Sequence, residues 1–313
     1  MDIVYVVGGL IGLVWGGEIL VRGAVALAQG WGISPLVIGL TIVGFGTSTP
    51  ELVTSVQAAL AGAPGIALGN IVGSNIANIL LILGLTAVIA PVAIARSTFY
   101  RDGAVLLAAT LLCIWVVLGG QVSRGAGMIC IAGLVAYLIY TFKTDAAADS
   151  ATSPEIAVPA AGQGPKAGMA FVLVLGGLVV TILSARFLVL GAVSLAQTIG
   201  ISETVIGLTI VAVGTSMPEL VTSVIAARRG QSDVALGNVV GSNIFNILGV
   251  LGVTAVIHPV AVSARIVELD VWIMLAATLA LIACALMGAR VTRWQGAALM
   301  LAYVGYLIVL LWT

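Results

Sequence analysis

A stretch of 61 residues occurs twice in this chain. Residues 32–92 align without a gap with residues 200–260 at a constant offset of 168, and 43 of the 61 pairs are identical. Two segments are kept most closely: GTSTPELVTSV at 46–56 returns as GTSMPELVTSV at 214–224, and GNIVGSNIANIL at 69–80 returns as GNVVGSNIFNIL at 237–248. A duplication this close indicates two copies of one structural unit.

The composition places both copies in a membrane. The chain is 61% hydrophobic and only 8% charged, whereas soluble domains carry about 25% charged residues. A helix that crosses a bilayer needs roughly 20 mostly apolar residues. Charged and turn residues divide the chain into ten such segments, near 3–21, 35–61, 66–90, 103–119, 125–142, 168–190, 203–227, 234–257, 269–288 and 294–312. We therefore predict an all-α integral membrane protein with ten transmembrane helices.

The number of spans between the copies predicts their relative orientation. The copies occupy the second and third spans and the seventh and eighth spans, so their starts lie five spans apart. Five is odd, and the second copy therefore enters the membrane from the opposite side. Inverted copies of this kind are typical of secondary transporters, whose substrate sites lie near the bilayer midplane. We predict two inverted five-helix repeats, residues 1–142 and 168–313, with the duplicated units at about 35–90 and 203–257.

Lys and Arg predict the side of the membrane on which each loop lies. If the amino terminus is outside, nine of the 12 basic residues lie in cytoplasmic loops and three lie outside. The three outer residues are Arg124, Arg186 and Arg265. We therefore expect both termini outside, with the Ala-, Pro-, Ser- and Gly-rich linker 143–167 in the cytoplasm.

Each copy carries one glutamate deep inside a predicted span, Glu51 in the first and Glu219 in the second. An ionisable group at the bilayer centre costs about 2.5–3.5 kcal/mol on insertion scales. No Lys or Arg lies in the same span to compensate, so each glutamate must be protonated, face water or bind a cation. Pro50 and Pro218 precede the glutamates and lack a backbone N–H, which predicts a kink beside each carboxylate.

Other oxygen-bearing residues surround these glutamates in the sequence. Thr47 and Ser48 stand about one helical turn before Glu51, and Thr215 and Ser216 stand likewise before Glu219. All six asparagines of the chain lie in the two GNxVGSNIxNIL motifs. Hydrogen bonding between helices accounts for Asn70, Asn75, Asn238 and Asn243 as well as ion binding does. Asn78 and Asn246 are instead predicted to belong to the site. An all-oxygen set without His or Cys suits hard cations such as calcium, which takes about 6–8 oxygen ligands.

The paired GTSxPE and GNxxGSNxxN segments closely resemble the alpha repeats of the sodium/calcium exchanger family, within the cation/calcium exchanger superfamily. The resemblance implies an electrogenic antiporter in which sodium entry drives calcium out by alternating access, without a cofactor beyond the transported ions Ca²⁺ and Na⁺. It implies a calcium site formed by Thr47, Glu51, Thr215 and Glu219. For sodium it implies the same residues together with Ser48, Ser74, Ser216, Ser242 and the backbone carbonyls near Gly44 and Ala212. It places Asn78 and Asn246 at the centre of the site, where each would coordinate an ion or a water.

The short linker departs from the animal exchangers, which have a large calcium-sensing loop. The resemblance is therefore to bacterial or archaeal exchangers, and we expect a monomer in the inner membrane of a prokaryotic cell. Amides in place of an acid at positions 78 and 246 argue against potassium dependence. The balance of 12 basic and 12 acidic residues suggests no nucleic-acid partner.

Other functions agree less well with the sequence than sodium/calcium exchange does. A calcium/proton antiporter of the same superfamily is the nearest alternative, because glutamates can carry protons, but the spare serine hydroxyls favour sodium. An intramembrane enzyme would need a nucleophile and a base, yet the one histidine, His258, is matched in the first copy by Ala90. No phosphate loop supports an ATP-driven pump, and a passive channel would show no counter-transport. Cys113, Cys130 and Cys284 lie in apolar runs and are predicted to be core residues.

Overall fold

The computed structural model describes residues 2–94, 96–151, 167–198, 212–288 and 290–312. These ranges are almost entirely helical. The helices are α1 (Asp2–Trp31), α2 (Pro35–Thr47), α3 (Thr49–Leu60), α4 (Pro64–Ile89), α5 (Arg96–Leu118), α6 (Arg124–Ala151), α7 (Ala167–Thr198), α8 (Ala212–Thr215), α9 (Met217–Arg228), α10 (Ser232–Ile257), α11 (Ile266–Met287) and α12 (Arg293–Trp312). Four two-residue strands accompany them: β1 (Val92–Ala93), β2 (Gln121–Val122), β3 (Val260–Ala261) and β4 (Arg290–Val291).

Most of these helices are long and apolar enough to cross a membrane. Within the described ranges there are eight such helices, and the bent pair α2–α3 makes a ninth. The nine correspond to nine of the ten segments predicted from the sequence. The remaining segment, 203–227, is represented by α8 and α9, because residues 203–211 lie outside the described part of the chain. The protein is therefore a helical, multi-pass membrane protein.

The kink predicted beside the first proline is present. Helices α2 and α3 meet at Ser48 at an angle of 41°. Ser48 has a non-helical backbone (φ −84°, ψ 8°), and Ser216 between α8 and α9 has nearly the same one (φ −90°, ψ 8°). Pro50 and Pro218 lie in the first turn of the following helix. Backbone N–H groups in this turn make no hydrogen bond within the helix, so the helix loses none by having proline there. The breaks thus place both glutamates in the first turn of a helix.

The two copies also share π-helical turns. These turns span Gly39–Val43 in α2, Asn78–Leu83 in α4 and Phe245–Leu251 in α10, with a further one at Ile266–Asp270 in α11. The turn in α4 begins at Asn78, and the turn in α10 includes Asn246, its equivalent at the offset of 168. π-helical turns are rare in proteins, and those that occur are often at functional sites. Their presence at the same motif shows that the copies match in backbone as well as in sequence.

Helices α1 and α7 pack against each other along most of their length. Gly9, Gly16 and Gly23 lie seven residues apart on α1, and a methyl group at any of them would lie 2.7–2.8 Å from a backbone nitrogen of α7. Small residues allow such close backbone approach between membrane helices. The pair also contacts the second copy, α1 through α9 and α7 through α8. The pair therefore packs against the duplicated helices as one tightly joined unit.

The short strands join the two halves of the chain in a reciprocal way. Strand β1 pairs antiparallel with β4, and β2 pairs antiparallel with β3. β1 and β3 occupy equivalent positions of the duplication, so each half contributes one strand to each pair. The hydroxyls of Thr110 and Thr278, also 168 residues apart, lie 3.3 Å from each other. The equivalence of the halves therefore extends beyond the 61 aligned residues.

Three smaller predictions can be compared with the structure. The three cysteines are buried and free, which confirms their assignment to the core. His258 follows the last residue of α10 and is exposed, as expected of a residue at a helix end. Helix α6 continues to Ala151, past residue 143 at which the predicted linker begins. The rest of the predicted linker, residues 152–166, lies outside the described residues.

Candidate ion-binding site

The two buried glutamates lie at one site where the helix breaks of the two copies meet. Glu51 and Glu219 are at most 1% exposed. The Ser48 hydroxyl donates to Glu219 Oε1 at 2.9 Å, and the Ser216 hydroxyl donates to Glu51 Oε1 at 3.0 Å. Each carboxylate is therefore held by the serine of the other copy. Sequence spacing places Ser48 beside Glu51 on one helix, but the break at Ser48 directs its hydroxyl across to the other copy.

The second oxygen of each carboxylate has no partner in the described part of the structure. Glu51 Oε2 and Glu219 Oε2 are buried and accept no hydrogen bond from any residue that the structure describes. The ion pairs of the described residues involve the carboxylates of Glu18, Asp102 and Asp270 instead. Buried polar atoms are nearly always hydrogen-bonded, since an unpaired one costs free energy. Two such acceptors at one site are suited to a cation.

A group of neutral oxygens lies beside the carboxylates at the end of α2. Thr47 is fully buried, and its hydroxyl lies 3.2 Å from the Gly44 carbonyl and 3.1 Å from Asn238 Oδ1. The Ser242 hydroxyl donates to the same Gly44 carbonyl at 3.1 Å. Three of the predicted ligands, Gly44, Thr47 and Ser242, are thus brought together although they come from both copies.

The equivalent group of the second copy is described in part. Thr215 ends α8 and is half-buried, and Ala212 begins the same helix. Ser74 is buried on α4, with its hydroxyl 3.5 Å from that of Ser216. Since Ser216 also donates to Glu51, Ser74 lies next to the site.

Asn78 and Asn246 are buried at the π-helical turns of α4 and α10. The Asn78 amide donates to Asn243 Oδ1 at 3.4 Å, and Asn78 Oδ1 has no partner among the described residues. Both amide atoms of Asn246 likewise lack one. The side-chain oxygens of Asn78 and Asn246 therefore have no hydrogen-bond partner among the residues that the structure describes.

Two further asparagines contact the glutamates through the backbone. Asn70 donates to the Glu51 carbonyl at 3.2 Å and to Ser55 Oγ at 2.9 Å. Asn238 repeats this geometry with the Glu219 carbonyl at 3.1 Å and Ser223 Oγ at 2.9 Å. Sequence reasoning did not include the two serines, although the duplication keeps both in the ELVTSV segment.

The chain is similar to known proteins over nearly its whole length. The family model described as sodium/calcium exchanger protein matches residues 1–143 and 169–312. The chain is 40% identical to the protein CaxA of Alkalimonas amylolytica over 97% of this chain and 96% of that protein. It is 33% identical to the sodium/calcium exchanger MaX1 of Methanosarcina acetivorans over 96% of each. A solved structure of the sodium–calcium exchanger NCX_Mj, soaked with Na⁺ and Sr²⁺, matches with a TM-score of 0.85 and 33% identity, over 98% of this chain and 97% of that chain.

Proposed function

Because the chain belongs to the sodium/calcium exchanger family, whose members are transporters, we propose that it exchanges sodium for calcium across a prokaryotic inner membrane. The proposed exchange is electrogenic and proceeds by alternating access in a monomer. Both termini lie outside, and residues 143–167 lie in the cytoplasm. Transport without any bound cofactor is consistent with a site made of protein oxygens.

One observation carries the proposal. Two buried carboxylates, one from each copy, are linked by reciprocal serine hydrogen bonds and keep their second oxygens unpartnered among the described residues. Two negative charges match one divalent cation, and calcium accepts oxygens in a flexible geometry. When sodium replaces calcium, the neutral oxygens nearby would hold monovalent ions beyond the two that match the carboxylates. The sodium-loaded site would then carry more positive charge than the calcium-loaded site, which makes the exchange electrogenic.

The ligands are assigned by their positions. Calcium is bound by the side-chain oxygens of Thr47, Glu51, Thr215 and Glu219. Sodium uses these together with the serine hydroxyls and the backbone carbonyls near the helix breaks: Ser48, Ser74, Ser216, Ser242, Gly44 and Ala212. Asn78 and Asn246 lie at the centre of the site, where each coordinates an ion or a water. In this assignment calcium and sodium use some of the same oxygens. The two ions therefore compete and cannot occupy the site together.

The proposed architecture is ten transmembrane helices in two inverted repeats. The nine spans of the described ranges, the matched breaks at Ser48 and Ser216, and the reciprocal strand pairs support it. In this arrangement the two carboxylates lie near the midplane, where the repeats meet.

The exchange mechanism follows from the charges of the site. An empty site leaves two buried carboxylates uncompensated, which disfavours a closed conformation. Bound calcium or sodium removes this cost. Only a loaded site can therefore close and then open to the other face of the membrane. We assign the gate to the α1–α7 pair, which contacts the second copy at α8 and α9 and would slide across the duplicated helices.

The coupling ion can be tested in proteoliposomes that contain the purified protein. We expect radioactive calcium uptake when sodium is trapped inside, and no uptake beyond background under an imposed proton gradient of equal size. Uptake driven only by the proton gradient would establish the calcium/proton alternative. Uptake that needs no counter-ion would indicate a channel, and a requirement for potassium would contradict the interpretation of Asn78 and Asn246.

A further inference from the structure

Asn70 and Asn238 occupy the same place in the two copies and make the same contacts. Each lies on the helix after the broken one, and its amide donates to the carbonyl of a site glutamate and to a serine one turn further along. The corresponding distances agree within 0.1 Å between the copies. The geometry is therefore a property of the repeat and is not confined to one environment.

These contacts restrain the direction of the carboxylates. Glu51 and Glu219 lie in the first turn of α3 and α9, directly after the break, where the backbone is least supported by its own helix. The asparagine amide ties this turn to the neighbouring helix at two points, the glutamate carbonyl and the following serine. Rotation of the turn, which would swing the carboxylate out of the site, is thereby opposed.

Asn238 also orients a proposed calcium ligand of the other copy. Thr47 Oγ1 lies 3.1 Å from Asn238 Oδ1 and 3.2 Å from the Gly44 carbonyl. A hydroxyl has one hydrogen, and both neighbours are acceptors. Since that hydrogen is directed at protein acceptors, the lone pairs of Thr47 remain available to a cation.

We propose that Asn70 and Asn238 are positioning residues that raise the calcium affinity of the site without touching the ion. The inference rests on the proposed function and deepens it, because it explains why these amides occur beside both glutamates. The competing role is hydrogen bonding that only holds helices together. The two roles differ in what they affect, since helix cohesion contributes to stability and positioning contributes to affinity.

The test compares Asn238→Ala and Asn70→Ala with the matched variant Asn75→Ala. Asn75 lies in the same motif, but its amide donates to Ile71 of its own helix at 2.8 Å. Calcium binding to purified protein is measured by titration calorimetry, which does not depend on the coupling ion, and thermal unfolding is followed in parallel. We expect Asn238→Ala to weaken calcium binding about 10–100-fold, as losses of groups that orient metal ligands do, and Asn75→Ala to change it less than twofold.

The outcomes distinguish a positioning role of the two asparagines from a packing role. An Asn238 variant that unfolds at lower temperature yet binds calcium with unchanged affinity would overturn the inference and leave a packing role. If Asn238→Ala does not fold, Asn70→Ala provides the same comparison at the less buried member of the pair. Wild-type protein that binds no calcium would overturn the proposed function together with the inference. Wild-type binding with unchanged affinity in both variants would overturn the inference alone.

Discussion

Glutamine at position 51 or 219 is expected to abolish calcium transport while leaving the protein folded. Glutamine keeps an oxygen that can accept the hydrogen bond from Ser216 or Ser48, so the contact between the copies is retained. It removes one of the two negative charges that a divalent ion requires in a buried site. The loss of that attraction corresponds to about 3 kcal/mol or more at short range, which is roughly a 100-fold weaker affinity.

Sodium-driven calcium uptake and calorimetric calcium binding measure this effect. Glu268→Gln makes the same chemical change at an exposed carboxylate outside the site, and we expect it to transport like the wild type. Normal unfolding temperatures for Glu51→Gln and Glu219→Gln would show that any lost transport does not come from misfolding. Retained transport in both variants would remove the basis of the proposed site.

A methyl group on Gly241 is expected to disable the protein by a different route. Helix α10 lies against α2 with backbone on backbone, and a Cβ atom at Gly241 would lie 2.6 Å from Leu40 C and Leu40 Cα. Backbone atoms cannot rotate aside as a side-chain terminus can, so the two helices must separate. Overpacking of this kind costs about 1–3 kcal/mol, occasionally more. Separation would also break the hydrogen bond from the neighbouring Ser242 to the Gly44 carbonyl.

We therefore expect Gly241→Ala to lower both the unfolding temperature in detergent and the initial rate of calcium uptake, the rate by about tenfold or more. Gly305→Ala is the matched control, because a methyl group there meets no atom of the described residues within 4 Å. A Gly241 variant with wild-type uptake and stability would show that α2 and α10 do not need this close contact.

Several features of the fold could be predicted because they depend on local pattern. Apolar run length predicted the nine spans of the described ranges, and Pro50 predicted the break that the structure shows at Ser48. The duplication predicted two copies of one structural unit. The matching asparagine contacts of Glu51 and Glu219 are one place where the copies agree.

Other features depend on which helices pack together, and sequence spacing does not contain this information. The spacing could not show that Ser48 would hold Glu219 and Ser216 would hold Glu51, because the partners are 165 or more residues apart. It also could not separate Asn70 and Asn238, which bond to the site glutamates, from Asn75, which bonds within its own helix.

The amino-acid sequence by itself determined that this chain is a helical membrane protein built on a duplication, with one buried acid and one helix-breaking proline in each copy. Those properties follow from composition and from interactions a few residues apart. The tertiary structure decided that the two acids share one site and which hydroxyls and amides hold them. That outcome depends on the docking of helices from opposite halves of the chain, where a hydroxyl turned by a helix break bonds to whichever acceptor the packing places beside it.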